Sequence, residues 1–235
     1  MGTLSRQPGR GQGGTVTLKA LLFDIDGTLV DSDPIHIDVF LEFLAVRGVT
    51  ITEADYMERI HGRRNIETFP EFLPHEDPRE MDLAKEAAYR ERLGDQVEPL
   101  PGARDLIIRA KAAGLRIGAV TNGPRANLNA VLNGTGLADF FDHTGSSDDV
   151  THGKPHPELY LAALSALNIT AAEAIVFEDS PTGIQSARAA GLDVVGMATS
   201  LSAETLVGHG VLFTITDFND PALARHLSCL EGAPA

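Results

Sequence analysis

Ala20-Leu21-Leu22-Phe23 is an unbroken apolar run that stops abruptly at Asp24-Ile25-Asp26-Gly27-Thr28. A strand with one wet face alternates apolar and polar residues, whereas a short continuous apolar run bounded by a turn belongs to a strand covered on both faces. Such strands sit in parallel sheets, with helices layered above and below. The run therefore restricts the chain to an α/β architecture and places two carboxylates at the carboxyl end of a buried strand.

The remaining sequence keeps this grammar after one interruption. From Asp33-Pro34 the apolar residues Ile35, Val39, Phe40, Phe43 and Leu44 recur at helical spacing, with proline tolerated in a first turn; this helix is expected to end near Gly48. Residues 53–93 continue as helical material without a buried strand. After Glu98-Pro99-Leu100-Pro101-Gly102 the pattern alternates. A helix running through Ala113 precedes a strand Leu115 to Val120, and a further helix is opened by Pro124. A helix from Pro157 to Leu167, a capping-box pattern at Thr170-Ala-Ala-Glu173 and a strand Ala174 to Phe177 follow. A helix from Pro181 to Ala190, a strand Leu192 to Val195 and a last strand within Val211 to Ile215 complete it. The expected organisation is a glycine- and arginine-rich flexible leader at 1–17, an α/β core from 18–33 and 98–235, and a helical insert at 34–97.

Composition narrows the function classes. The 235 residues carry 33 acidic and 19 basic side chains, a formal charge of −14, and the basic ones are dispersed from Arg6 to Arg225. Nothing in that distribution offers the dense basic patch that nucleic acid requires. With 43% apolar and 22% charged residues the chain lies in the folded range. No run approaches the roughly 18 apolar residues of a membrane span, and the first residues lack the apolar core of a signal peptide. One cysteine, Cys229, cannot close an intrachain disulfide. The expectation is a cytoplasmic protein, monomeric or weakly dimeric, without nucleic-acid or membrane partners.

In open α/β sheets ligands bind outside the carboxyl ends of the strands, so polar residues there carry weight. Four clusters qualify: Asp24 to Ser32, Thr121-Asn122-Gly123, Gly153-Lys154-Pro155-His156-Pro157, and Glu178-Asp179-Ser180-Pro181-Thr182-Gly183. Asp24 and Asp26, where the strand breaks at Gly27, can both face one crevice, one attacking an electrophile while the other moves a proton; alone, the same residues read more readily as a solvated turn. The other clusters decide. Asp179 follows Val176-Phe177 as Asp24 follows Leu22-Phe23, so carboxylates from two strand ends can share a hard cation such as Mg²⁺. Lys154 offers compensating charge, Thr121 a hydroxyl, and the helix begun at Pro124 free backbone N–H groups. Together these describe a phosphoryl-transfer site.

In order and wording, FDIDGTLVDS, the Thr-Asn pair, GKPHPE and the ED-S-xx-GI-xx-A run resemble the haloacid dehalogenase superfamily, specifically its phosphatase and β-phosphoglucomutase-like branch, over about Lys19 to Phe218. The resemblance implies a Rossmann-like parallel sheet core with an inserted α-helical cap domain, and a Mg²⁺-dependent phosphatase of small phosphorylated metabolites such as sugar phosphates or phosphoglycolate-like acids. By it, Asp24 is the nucleophile that forms an aspartyl phosphate, and Asp26 is the general acid and base whose backbone carbonyl faces the metal. Thr121 and Lys154 hold the transferring phosphoryl oxygens, with Asn122 and Gly123 beside them. Asp24, Asp26 and Asp179 hold Mg²⁺, with Glu178 in or just outside the coordination shell. The acid at position 26 also separates this chain from the dehalogenases and phosphonate-cleaving members.

The cap is expected to hold the substrate preference. His61-Gly62-Arg63-Arg64-Asn65 falls where such caps carry their specificity loop, and Lys85 where the mutase-like members carry a cap lysine, so Arg63, Arg64, Asn65 and Lys85 are candidate substrate contacts; the alternatives are solvated helix-end charges for the arginines and a structural role for Lys85. The mutase-like pattern has an arginine three residues after the loop glycine, where this chain has Asn65. That departure weakens the grip on a second phosphate and favours a hydrolase over the alternative phosphomutase. A non-catalytic binding protein on the same fold is a further alternative, which the intact set of acids disfavours. His36, near the hinge, is a candidate for orienting Asp26. Tyr89 is read as either lining the cleft or packing the cap.

Overall fold

A computed structural model describes residues 17–227. The expected leader lies outside the described residues apart from Thr17, as does Cys229. Six parallel strands form one sheet: β1 (Ala20–Phe23), β2 (Arg116–Val120), β3 (His143–Gly145), β4 (Ala174–Glu178), β5 (Asp193–Met197) and β6 (Thr214–Ile215), in the order β3-β2-β1-β4-β5-β6. The strand order reverses between β1 and β4, which is where an open sheet leaves a crevice for ligand. Phe23 lies opposite Phe177 in the register, so the residues that follow, Asp24 and Glu178, leave the sheet side by side.

The two faces of the sheet explain the unbroken apolar run. Leu21 and Phe23 of β1 point into one cluster with Ile117, Phe177 and Val195; α5 (Ala103–Ala112), α6 (Arg125–Gly134) and α10 (Pro221–His226) cover it with Leu106, Ile107, Leu128, Val131 and Leu223. Ala20 and Leu22 point into the opposite cluster beneath α7 (Glu158–Leu167), α8 (Pro181–Ala189) and α9 (Ala203–Gly208). Phe23 packs against Phe177 at 4.9 Å between ring centroids, Phe218 at 5.7 Å and Phe141 at 6.3 Å. Phe23→Ala is expected to cost about 3–5 kcal/mol of unfolding free energy, since these rings cannot close over the void; urea denaturation measures it.

Between β1 and β2 the chain forms α1 (Asp33–Ala45), α2 (Glu53–Arg59), α3 (Asn65–Phe72) and α4 (Pro78–Leu93). They gather a third apolar cluster of their own from Phe40, Phe43, Leu44, Tyr56, Ile60, Phe69, Phe72 and Leu73, with Phe40 stacked on Phe69 at 5.2 Å. The end of α4 departs from that cluster, because Tyr89 and Leu93 pack with the sheet.

Two local readings change. The edge strand β3 was not expected: His-Thr-Gly has no apolar run, and its pairing with Gly118–Val120 is set by the sheet rather than by its own residues. The last strand is shorter than Val211 to Ile215, reduced to Thr214–Ile215 at the other edge. Thr170 and Glu173 make both bonds of a capping box, but around a single 3₁₀ turn ahead of β4. Among the described residues no helix is long and apolar enough to cross a membrane.

Candidate active site

A pocket of about 410 Å³ opens at the carboxyl ends of β1, β2 and β4 beneath the inserted helices. Its floor includes Asp24, Asp26, Thr121, Asn122, Gly123, Lys154 and Asp179, and its roof Arg63, Arg64, Asn65 and Lys85. The structure thus collects the candidate residues of four separate sequence clusters around one cavity. Glu178 is fully buried just behind that floor.

Lys154 is the centre of the floor. Its ammonium donates to Asp24 Oδ1, to Glu178 Oε1 at 2.6 Å and to the Val120 carbonyl at 3.0 Å. Glu178 also accepts from Tyr160 Oη at 2.7 Å. Burial disfavours the lysine's charge, but Asp24 and Glu178 more than restore it, and its pKa lies above the ordinary lysine value. Burial, followed by the charges of Glu178 and Asp179, pushes the Asp24 carboxyl well up against the pull of Lys154. Gly183 is what lets Glu178 come so near the start of α8, since a Cβ there would collide with both carboxylate oxygens.

Asp26 has a different environment. It is held by Ser32 Oγ at 2.6 Å, Tyr89 Oη at 3.1 Å and His36 Nε2 at 3.2 Å, with the His36 ring stacked 3.8 Å from that of Tyr89. Burial raises its pKa, but the charge and hydrogen bond of His36 and the bonds from Ser32 and Tyr89 outweigh it, so the carboxyl lies far below its usual range. The two acids of one motif are therefore driven apart, Asp24 upward and Asp26 downward.

The residues fit a hard divalent cation. Ligand oxygens from Asp24, Glu178 and Asp179 lie within 4.8 Å of one another. These three carboxylates share a buried space with the Lys154 ammonium, whose bonds go to Asp24 and Glu178. Asp179 Oδ2 is buried without a hydrogen-bond partner, although His61 Nε2 stands 3.4 Å away. Gly27 at φ 71° folds the loop against this acid, and a Cβ there would strike the Asp179 carboxylate. Burial raises Asp179 to about 7 and Asp33 adds to it, while His61 opposes. An all-oxygen donor set of this kind suits Mg²⁺.

His61 was not singled out in the sequence beyond its membership of the loop. It reaches from the insert into the floor, 3.1 Å from Asp33 Oδ2, and Asp33 also accepts from Ser200 Oγ. Tyr160 and Asp33 were likewise missed, and Ser32 stood in the first motif without a role. Their contacts run across 6 to 167 positions of sequence.

The roof residues are largely engaged by protein. The Asn65 amide donates to Asp82 at 2.9 Å and to Glu86. Arg63 pairs with Glu71 at 2.8 Å, and Arg64 reaches the Thr151 carbonyl at 3.3 Å. Lys85 is 2% exposed, 2.7 Å from His36 Nδ1 and 3.0 Å from Glu86. Asn122 ties loops together: its amide donates to the carbonyls of Gly62 at 2.9 Å and Lys154 at 3.0 Å, and its oxygen accepts from Lys154 N–H at 2.7 Å. The free donors expected at the start of α6 need correcting, because the first of them, Arg125 N–H, is taken by Asp148 at 2.8 Å.

The sequence pattern of the haloacid dehalogenase-like hydrolases matches residues 18–191. Protein CbbY of Rhodobacter capsulatus is 39% identical over 191 residues, covering 76% of this chain and 84% of that protein. Validoxylamine A 7'-phosphate phosphatase of Streptomyces hygroscopicus subsp. limoneus is 34% identical over 197 residues, covering 83% and 92%. Among solved structures, CbbY from Rhodobacter sphaeroides in complex with xylulose-(1,5)-bisphosphate superposes with a TM-score of 0.78 at 26% identity, covering 87% of this chain and 96% of that one. With that match spanning most of its length, and with the strand order and the acids just described, the chain belongs to the haloacid dehalogenase-like hydrolases, in their phosphatase and phosphomutase branch.

Proposed function

We propose that this enzyme is a Mg²⁺-dependent phosphoric monoester hydrolase that acts on small phosphorylated metabolites through an aspartyl phosphate on Asp24. The observation that carries the reading is the pairing of Asp24 with Lys154 at the floor of the pocket, with a second acid, Asp26, held separately two residues away. An oxygen of Asp24 attacks phosphorus, the phosphorus–oxygen bond of the ester breaks, and Asp26, which takes up a proton from solvent as the anionic substrate binds beside it, gives that proton to the departing oxygen. Water then attacks the phosphoryl group on Asp24, Asp26 takes the water's proton, and phosphate leaves. The ionised Asp26 held by Ser32, Tyr89 and His36 is the form this second step needs. Lys154 and Thr121 offer donors to the phosphoryl oxygens. Asp24, Asp179 and the Asp26 carbonyl would hold Mg²⁺, which would supply charge neutralisation for the transferring group. Glu178 acts by fixing Lys154, to which it is bonded.

Residues 34–97 act as a cap over a core of 18–33 and 98–235, shielding the reaction from water when closed. A pocket of about 410 Å³ suits a sugar-sized phosphate ester. The relatives support that class, one named for a phosphatase of validoxylamine A 7'-phosphate and one seen with xylulose-(1,5)-bisphosphate. With Asn65 tied to Asp82 and Glu86, and Arg63 to Glu71, the cap keeps little grip for the second phosphate that a mutase needs. We infer a monomer or weak homodimer: its large exposed apolar side chains, among the described residues, fall on different elements instead of forming one patch.

Phosphate release across a panel of sugar phosphates and small phospho-acids tests the reading. Activity is expected to fall to background on chelation of Mg²⁺ and to return on its addition. Turnover that survives chelation, or an isomerised sugar phosphate formed only with a bisphosphate primer, overturns it.

A further inference from the structure

The loop that carries Lys154 has a second set of ligating side chains on its other side. In Thr151-His152-Gly153-Lys154-Pro155-His156-Pro157-Glu158 a histidine stands two residues before and two residues after the lysine, and a glutamate follows at the start of α7. None of His152, His156 and Glu158 lines the pocket, and both histidines are exposed. Yet their donor atoms converge. His152 Nδ1 lies 3.2 Å from Glu158 Oε2 and His156 Nδ1 3.8 Å from the same oxygen; the two rings are 4.8 Å apart, and one ligand atom from each residue falls within 4.8 Å of the others.

The arrangement is fixed by more than these three side chains. Glu158 accepts from the backbone N–H of Thr151 at 3.0 Å and of His152 at 2.9 Å, bonds that hold its carboxyl below the ordinary range. Ser186 Oγ donates to the His156 carbonyl at 2.7 Å and anchors the other end. The carboxylate is thus positioned by backbone before any ligand arrives, and preorganisation lowers the cost of binding. Exposure leaves both imidazole rings accessible to an ion arriving from solvent.

Two imidazole nitrogens and one carboxylate oxygen, open to water on the remaining positions, form the donor set of a borderline transition ion and not of Mg²⁺, which wants oxygen alone. We propose that His152, His156 and Glu158 bind a divalent cation of the zinc class, at a site separate from the all-oxygen cluster of Asp24, Glu178 and Asp179. A bound ion links residue 152 to residue 156 across Lys154, and so restrains the segment whose Thr151 carbonyl receives Arg64 from the helical insert.

Zinc titration of the full-length protein by calorimetry, in saturating Mg²⁺ so that the pocket is filled, tests this. One equivalent of Zn²⁺ is expected to bind. His152→Gln with His156→Gln should weaken it by about tenfold or more, since loss of a direct ligand costs at least as much as loss of a supporting partner. The same titration followed by amide hydrogen exchange should show slower exchange at residues 151–158 in the parent and no change in the double variant. Both histidines are exposed, and circular dichroism with phosphate release in Mg²⁺ alone reports that the variant is folded. Absence of zinc binding under excess Mg²⁺, or equal affinity in the double variant, as for an ion held at Cys229, overturns the proposal.

Discussion

Lys154→Ala is expected to eliminate phosphate release and, in metal-free buffer, to lower unfolding stability by about 3–5 kcal/mol, the usual cost of removing one partner from a buried ion pair. The size follows from what stays behind. Asp24 and Glu178 lean on the same ammonium, and Glu178, fully enclosed, cannot recover by turning to water. The same variant measured in Mg²⁺ should lose less, because an ion held by Asp24 and Asp179 replaces part of the missing positive charge. A simple cavity left by the lysine stem would instead cost the same with and without metal. Thermal unfolding of both proteins, in chelator and in Mg²⁺, distinguishes the two.

Asp24→Asn should have the opposite signature. Turnover is expected to fall by about 10⁴-fold or more, as when the nucleophile of a covalent mechanism is lost, and no phosphoenzyme should form from radiolabelled substrate. Stability, however, should stay level or rise. The asparagine keeps the shape of the side chain while removing one of three crowded acids, and burial already pushes the Asp24 carboxyl toward its neutral form. Lys154 retains Glu178 and the Val120 carbonyl. A variant that is inactive and also unfolds at lower temperature would make Asp24 a structural residue. One that is inactive, stable and free of phosphoenzyme identifies it as the nucleophile.

These residues were legible in the sequence because strand ends are. An apolar run fixes where a buried strand stops, and the parallel sheet brings Asp24 and Asp179 to the same edge without further information. The helices were legible for the same reason, through their 3.6-residue period. What the sequence could not supply is the partner of each polar group. Tyr89 was more readily a packing residue than a cleft one until its hydroxyl was seen on Asp26, and Tyr160 sits in a leucine-rich helix with nothing to mark its bond to Glu178. Likewise, Pro124 marks a helix start but not the carboxylate of Asp148 that caps it, 23 positions away. His61, Asp33 and Ser200 meet from three segments, and β3 exists only because β2 offers it an edge. Short-range pattern identifies elements, while tertiary placement assigns the hydrogen bonds.

The Asn122 amide has one more implication. Its three bonds run to two different loops, one from the helical insert through Gly62 and one that carries Lys154. Thr182 Oγ1 shares the Gly62 carbonyl at 2.8 Å. A carboxamide satisfies this set only when both loops are in place, since a part-buried amide left half-bonded is penalised. With residues 34–97 closing as proposed, it works as a coincidence detector: the backbone of Lys154 is fully braced only at the moment the roof is shut.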